Sequence, residues 1–574
     1  MQFNIEINDQ QVTARRGETI KNVLDRIGIH VPTLCYLEGF TPTGGCRMCV
    51  VEVEGIPGLV PSCSHPVSEW MKIRTNSQKV LKARKVLVEL LLASHPDDCL
   101  FCERSGSCSL QDLAAEMNIR ERKYHRKKEP VQIDKTCNSI VRDPAKCVLC
   151  GRCVRVCDET IGVSAIDVVG RGSNSRIGTA YNKGLNTKTC VKCGQCIMVC
   201  PTAALTERSG IQQVIDVLHN PLLYPVVQFS PNVPSTIAEI FSLKASKDLL
   251  NLLRAALKSM GFRQIFDSSM ASDIIIMEEA AEFQKRMANG GPFPMFTSCC
   301  PSWTRYVEES KPQLLPYLSS LRSPQQVMGR LIKSYITSSA GQKPENVFVV
   351  SVTPCTAKKH EADADLMKDG TTRYVDAVIT IRELAMIIRM MGIDFEGLEP
   401  EPTDTAFGMR SSSGNLFGIS GGHLEGLIRT IQFQSIGIDA SNPRITELRG
   451  LKTRKEARLK IAKQPVNTLA ISGLNQAKAL AEDILAGKED HHIIEVMTCP
   501  AGCINGGGQK LHPDEKCLKS RMKALYDVDD EEMIKTAHKN PIVVDLYEKF
   551  LARPGSIHNV ELLHASRTTN PEMI

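Results

Sequence analysis

The sequence predicts a multidomain chain, α+β in its early modules and α/β from about residue 210 onward. Three observations lead there. At 574 residues the chain is several times longer than one hydrophobic core usually organises. Before residue 210, short alternating runs such as Phe3-Asn4-Ile5-Glu6-Ile7 are broken by Gly, Pro and closely spaced Cys. After it, apolar runs of strand length alternate with longer segments of helical period.

In order, residues 1–78 read as strands at 3–7 and 50–54 around one helix near 19–26, with Gly and Pro turns between them. Residues 79–125 hold a helical segment, 80–93, that runs into the ligand-rich loop HPDDCLFCERSGSC. The charged run ERKYHRKKEP at 121–130 reads as a linker or docking edge. Residues 126–209 carry two nearly identical cysteine blocks, 147–157 and 190–200, an internal repeat. In 210–574, strand-like runs fall at 226–229, 347–352, 377–379, 469–471 and 493–496. The cysteines of TSCCP, TPC and MTCPAGC lie just past such runs, where loops carry chemistry, and are expected to converge in space.

Lys plus Arg total 70 against 64 Asp plus Glu, a surplus too thin over this length to imply nucleic acid. The 22 Cys are abundant, and their two-residue gaps point to metal and away from disulfides. The N-terminal segment lacks the apolar run of a signal peptide, and none follows Arg15-Arg16. No window reaches 18 consecutive apolar residues, so no membrane span and a reducing cytoplasm are expected.

Cys35, Cys46, Cys49 and Cys63 form C-x10-C-x2-C-x13-C, a variant of the ferredoxin arrangement in which a loop wraps a 2Fe-2S cluster. Zinc also accepts four thiolates and is the alternative; Gly44-Gly45 suit a close-wrapped loop. His95, Cys99, Cys102 and Cys108 form H-x3-C-x2-C-x5-C, and an imidazole replacing a thiolate removes negative charge and raises a 4Fe-4S potential. Cys147, Cys150, Cys153 and Cys157, then Cys190, Cys193, Cys196 and Cys200, match the two-cluster ferredoxin run. There the fourth cysteine of each block serves the other cluster, so Cys200 joins the first trio and Cys157 the second. Cys137 and Cys517 read as buried free thiols.

Four one-electron centres need a terminus, and the C-terminal region offers Cys299 and Cys300 in TSCCPSW, Cys355 in TPCTAKKHEAD, and Cys499 and Cys503 in EVMTCPAGCINGGGQ. In these three segments, and in the order of its accessory domains, the chain resembles the iron-iron (FeFe) hydrogenases of the multidomain clostridial type. The resemblance implies a β-grasp 2Fe-2S domain, a small His/Cys3 4Fe-4S domain, a two-cluster ferredoxin-like domain and a large α/β H-cluster domain. The H-cluster is a 4Fe-4S cubane joined through one cysteine sulfur to a two-iron unit with CO, cyanide and a bridging azadithiolate. Carried over, Cys300, Cys355, Cys499 and Cys503 ligate the cubane, Cys503 bridges, and Lys358 donates to a cyanide. Pro231, Ser323, Pro324, Gln325, Pro354, Phe417, Gly418 and Met497 match pocket positions.

Cys299 is surplus to the cubane, and a thiol can take and return a proton. Glu279, Glu282 and Arg286 share one helix face. The resemblance implies a relay Cys299, Glu279, Ser319, Glu282, Arg286. The chain departs from familiar hydrogen producers in carrying Ser230, Asn232, Thr353 and His423 where they place Ala, Ser, Met and Val around the two-iron unit. Polar groups there are expected to alter catalytic bias, overpotential and oxygen response.

The implied activity is reversible proton reduction and hydrogen oxidation, with ferredoxin as the expected carrier at the basic stretch 122–128. Because the first 110 residues also resemble complex I domains, the alternative is the catalytic subunit of an NAD(P)-linked, electron-bifurcating complex with flavin-containing partners. A hydrogen sensor and an iron-sulfur assembly factor are rivals from another class. Assembly-type relatives lack the Cys299 relay and the full pocket, both of which this chain has.

Overall fold

Alternating burial sets the N-terminal sheet. In strand Gln2–Ile7 the side chains of Ile5 and Ile7 face the core, and the strand pairs antiparallel with Gln10–Arg15 and parallel with Lys72–Arg74. Val50–Val53 and Leu59–Pro61 complete a five-stranded sheet. The helix Ile20–Arg26 crosses it, started by Thr19, whose hydroxyl accepts the Asn22 N–H. These elements come from a computed structural model that describes residues 2–125, 131–243, 248–297, 299–402, 407–439, 444–461 and 464–565. Residues 126–128 of the expected basic docking stretch lie outside the described residues.

Helix Gln78–Ala93, capped by Ser77, carries the chain to His95. Its buried Arg84 donates to Val50 O at 2.8 Å and so ties the second module to the first. In the cysteine repeat, Leu149 and Gly151 in one block and Lys192 and Gly194 in the other all have positive φ. The same left-handed twist at matching positions aims three cysteines of each block at one point. Strands Ile140–Arg142 and Leu205–Glu207 close this module as an antiparallel pair.

The α/β region has two four-stranded sheets. One is wholly parallel, ordered Gln264–Asp267, Tyr224–Phe229, Val347–Thr353, Ala377–Thr380. Its central strands are buried along almost their whole length, including Gln228 and Ser351 inside their apolar runs. The other is ordered Met295–Phe296, Ile493–Met497, Gln464–Ser472, Arg454–Ile461, with its last pair antiparallel. The helix Ser269–Asn289 lies between them, twelve of its residues buried, with Ser269, Ser272, Asp273, Glu278 and Glu279 among them, so its first half packs on nearly every face. Among the described residues, no helix is long and apolar enough to cross a membrane.

Cys137 is fully buried. Cys517 is not: it sits half-exposed in the first turn of helix Glu515–Glu531, its N–H donating to the Asp514 cap at 2.7 Å. The expectation of a buried thiol there is corrected by an amphipathic helix whose buried positions are Arg521, Leu525 and Asp529.

Candidate metal centres and catalytic pocket

The first four cysteines meet at the edge of the N-terminal sheet. Cys35 N–H donates to Cys46 Sγ at 3.4 Å, and Cys35, Cys49 and Cys63 are each about 1% exposed. Their thiols share hydrogen bonds: Cys63 lowers the pKa of Cys49 to about 6, while Cys46, donating to Cys35, is pushed up. Four crowded sulfurs that cannot all be thiolates without positive charge among them suit a cationic cluster.

His95 turns its Nδ1 toward Pro96 O at 3.2 Å, an arrangement that sets the ring for ligation through its other nitrogen. It shares one hollow with Cys99 and Cys108. Arg122 clamps this loop by donating to His95 O and Pro96 O, both at 3.1 Å. The structure therefore places this member of the basic stretch inward. We expect His95→Cys to leave a cluster in place but lower its potential, since a thiolate adds negative charge. Redox titration followed by electron paramagnetic resonance checks it, and an unchanged potential removes His95 from the ligand set.

Cys147, Cys150, Cys153 and Cys200 line one cavity; Cys157, Cys190, Cys193 and Cys196 line another. The crossing of the fourth cysteines is thus present in space. Burial raises Cys150 to about 12 and Cys190 to about 11, so thiolates here need positive charge beside them.

The sites are strung together. Arg155 donates to Thr41 O at 2.8 Å and to Cys35 O, and the charge of Arg152 is felt by Cys150 and Cys35 alike. On the other side, Lys146 Nζ is 3.6 Å from Cys102 Sγ, and Ser109 N–H donates to Pro201 O at 3.0 Å. Both outer sites therefore abut the Cys147 site. The Cys190 site abuts the α/β region: Thr356 Oγ1 donates to Lys192 O at 2.8 Å, and Gln195 Nε2 to Asn505 O at 2.7 Å. A Cβ on Gly194, which has φ +73°, would meet the Thr356 side chain and lie 3.1 Å from Gly507 Cα.

The catalytic pocket opens where four strands end. Ser230, Pro231 and Asn232 follow Tyr224–Phe229, Pro354 and Cys355 follow Val347–Thr353, Cys299 and Cys300 follow Met295–Phe296, and Cys499 follows Ile493–Met497. With Pro324, Gln325, Thr353, Lys358, Phe417, Gly418, Met497 and Cys503 they line a pocket of about 820 Å³, open solvent at its mouth included. All five cysteines of the three segments face it. Burial pushes Cys299, Cys499 and Cys503 up, and Cys355 to about 11. Thr498 N–H points at Cys300 Sγ, 3.5 Å away. Four thiols lining one pocket, with an ammonium beside them, are a donor set that fits a cubane and an anionic adjunct.

Lys358 Nζ donates to Ser323 Oγ at 2.9 Å and Glu361 Oε2 at 3.2 Å. Burial opposes its charge, but Glu361 and Cys355 outweigh burial and raise its pKa. Ser323 thus stands behind Lys358, outside the cavity lining. Glu361, absent from the sequence-based site, also accepts from Ser323 Oγ at 2.7 Å; its spacing of i+3 from Lys358 was the available signal.

Of the relay residues, Ser319 Oγ donates to Glu282 Oε2 at 2.8 Å and Arg286 Nη2 to Glu282 Oε1 at 2.7 Å. Glu279 and Ser319 are fully buried, whereas Arg286 reaches the half-exposed end of the helix. His423 does not line the cavity. Its ring lies tilted at 58° against Phe417, centroids 4.3 Å apart, and its Nε2 is 2.5 Å from Glu279 Oε2.

Comparisons with known proteins match this division of labour. Residues 224–507 match the family model "Iron only hydrogenase large subunit, C-terminal domain", and 514–566 match "Iron hydrogenase small subunit". Residues 1–78 match a 2Fe-2S iron-sulfur cluster binding domain. Residues 84–123 match the NADH-ubiquinone oxidoreductase-G iron-sulfur binding region, and 138–206 the ferredoxin-like domain of NADH-quinone oxidoreductase subunit 3. The NADP-reducing hydrogenase subunit HndD of Solidesulfovibrio fructosivorans is 37% identical over 98% of both chains. Iron hydrogenase 1 of Clostridium pasteurianum is 37% identical over 98% of this chain and 99% of that one. Among solved structures, the FeFe-hydrogenase HydA1 of Chlamydomonas reinhardtii superposes with a TM-score of 0.56 at 31% identity. It covers 62% of this chain and 98% of its own.

Proposed function

Because the chain belongs to the FeFe hydrogenase family, we propose that it interconverts hydrogen with protons and electrons at an H-cluster held in the pocket of five cysteines. The convergence of Cys299, Cys300, Cys355, Cys499 and Cys503 on one pocket carries this reading. Cys300, Cys355, Cys499 and Cys503 would hold the cubane, and Cys503 would also help to hold the two-iron unit. Bound there, the cofactor supplies the metal and amine chemistry that splits or forms hydrogen heterolytically.

The chain's own residues do the rest. Lys358, kept charged by Glu361, presents an ammonium to the anionic edge of the site. Pro231, Pro324, Phe417 and Met497 exclude water. Cys299 lines the same cavity and is the group placed to pass a proton, with Glu279, Ser319, Glu282 and Arg286 behind it. Ser230, Asn232 and Thr353 bring polar atoms to the wall, and Asn232 Nδ2 donates to Gly418 O at 3.2 Å. One 2Fe-2S and three 4Fe-4S sites would carry electrons along the string of contacts.

For the electron partner, ferredoxin remains the first reading. The second, an NAD(P)-linked complex, is favoured by one surface: Leu100 and Phe101, between Cys99 and Cys102, are 92% and 90% exposed. Apolar side chains at the outermost cluster suit a permanent subunit better than a transient carrier. The HndD relative supports the same reading.

The test is an infrared spectrum of the matured protein in the CO and cyanide region, followed by hydrogen assays with ferredoxin and with NAD(P) plus copurified subunits. Iron content is expected to match the four accessory sites and the H-cluster. Absence of CO and cyanide bands after maturation, or zinc at Cys35, Cys46, Cys49 and Cys63, refutes the corresponding assignment.

A further inference from the structure

The His423 to Glu279 contact is unlike an ordinary packed histidine. Both side chains have zero exposure, and the two meet at 2.5 Å. His423 is the second residue of helix Gly422–Ile436, and Glu279 lies in Ser269–Asn289, so the pair joins two helices behind the wall of the pocket. Phe417 separates the imidazole from the cavity. The other ring nitrogen, Nδ1, is buried and has no hydrogen-bond partner among the described residues.

The surroundings decide what the ring can carry. A second buried carboxylate, Glu495, faces it from strand Ile493–Met497, where it accepts the N–H groups of Gly421 at 2.7 Å and Leu424 at 2.9 Å. Burial raises Glu495, and the histidine is the first group that opposes the rise. On the far side, Lys455 donates to Gly450 O at 3.2 Å and to Ser420 O; burial lowers it to about 8. Cys299 faces both Glu279 and Glu495. The positive groups seen facing these buried carboxylates are a weakened ammonium and the imidazole, and uncompensated buried charge is costly.

We propose that His423 is a positioning residue that shares a proton with Glu279, so that a buried imidazole and carboxylate dyad, and not the carboxylate alone, stores the proton behind Cys299. In the proposed dyad the proton rests on the imidazole with Glu279 ionised against it, an arrangement favoured by the 2.5 Å Nε2 to Oε2 contact and by the second carboxylate, Glu495, that faces the ring. Passing the proton on moves it from Nε2 to Oε2 and leaves a neutral ring and a neutral acid. No bond other than N–H and O–H changes, and no electrons move. The proposal rests on the reading of Cys299 as the proton entry, and the measurements below separate the two.

The first measurement needs no loaded cofactor. Infrared spectra of the full chain lacking the two-iron unit are compared for the parent, His423→Gln and His423→Val at neutral pH. Glu279→Gln assigns the Glu279 carboxyl band. Glutamine keeps an N–H donor of similar reach but cannot hold the proton. The parent is expected to show no protonated Glu279 carboxyl, and both His423 variants to gain that band, because a buried carboxylate without a cation neutralises. If His423→Val fails to fold, His423→Gln alone decides the question.

The second measurement is the pH profile of turnover in the matured protein. His423→Gln is expected to lower it about 10-fold, the lower end for a group that orients a functional residue, and to change the profile's shape. A carboxyl band unchanged by either substitution, with superimposable profiles, overturns the proposal and leaves His423 as packing. If the band appears while Cys299→Ala and Glu279→Gln keep parental turnover, the dyad stands and the Cys299 route falls.

Discussion

Replacing Cys299 with alanine is expected to leave the metal site assembled and to cut turnover by about 10²–10⁴-fold, the usual worth of general acid-base help. Four other cysteines face the same cavity, so ligation does not depend on this one. Its loss removes a thiol from a wall whose other polar side chains, apart from Lys358 and the four remaining cysteines, are hydroxyls and amides, which carry protons poorly. Asp at the same position should recover part of the rate, since a carboxyl again exchanges a proton; Ser, a far weaker acid, should recover little. The infrared signature of the matured site and the hydrogen assay are read on the same samples. An Ala variant with intact signature and near-parental turnover would show that protons enter elsewhere.

The second large effect is on stability. Arg382, in helix Ile381–Met390, forms a bidentate pair with Glu207 at 3.0 and 2.9 Å and donates to Gly507 O at 2.8 Å and to Gln509 O. Its side chain is 8% exposed and that of Glu207 9%. Arg382→Met is expected to cost about 3–5 kcal/mol, because buried Glu207 would keep only the Thr380 hydroxyl at 3.1 Å and the more distant charge of Arg104. Changing both partners, Arg382→Met with Glu207→Leu, should recover most of it. Burial opposes the charge of Glu207, and Arg382 outweighs burial and holds its pKa to about 2. A depressed carboxyl contributes stability above its unfolded value, near 4.3, and loses that contribution as pH falls toward 2. Chemical unfolding at pH 7, 5 and 3, followed by hydrogen exchange near 205–207 and 507–509, checks both statements. Equal loss at all three values would mean that the pair is not the origin.

Much of the site was legible because ligand spacing is a local property. Each cysteine block reads as a block, and the apolar runs mark the strands whose ends carry the TSCCP, TPC and MTCPAGC segments. What the sequence could not disclose depends on contacts across long separations. Strand Met295–Phe296 is two residues long and earns its place by pairing with Ile493–Met497, almost 200 positions away. His423 was expected at the cavity wall, and Phe417 holds it one layer back. Glu495 did leave a trace, a charge inside the otherwise apolar run 493–497, but its role as the acceptor for Gly421 and Leu424 needs the helix start to be in place. Cys517 was misjudged because an isolated cysteine carries no periodicity of its own, while the helix around it does.

The glycine contact between residues 194 and 507 bears on how such proteins can be cut and recombined. Deleting residues 1–209 here would leave an arginine fork without its carboxylate and a surface hollow shaped for backbone. Grafting the electron-carrying modules onto a shorter relative would in turn demand a bare backbone on both sides of the join, since any side chain at either glycine would prise the modules apart. The accessory region is therefore an organ of this catalytic domain and not an interchangeable attachment.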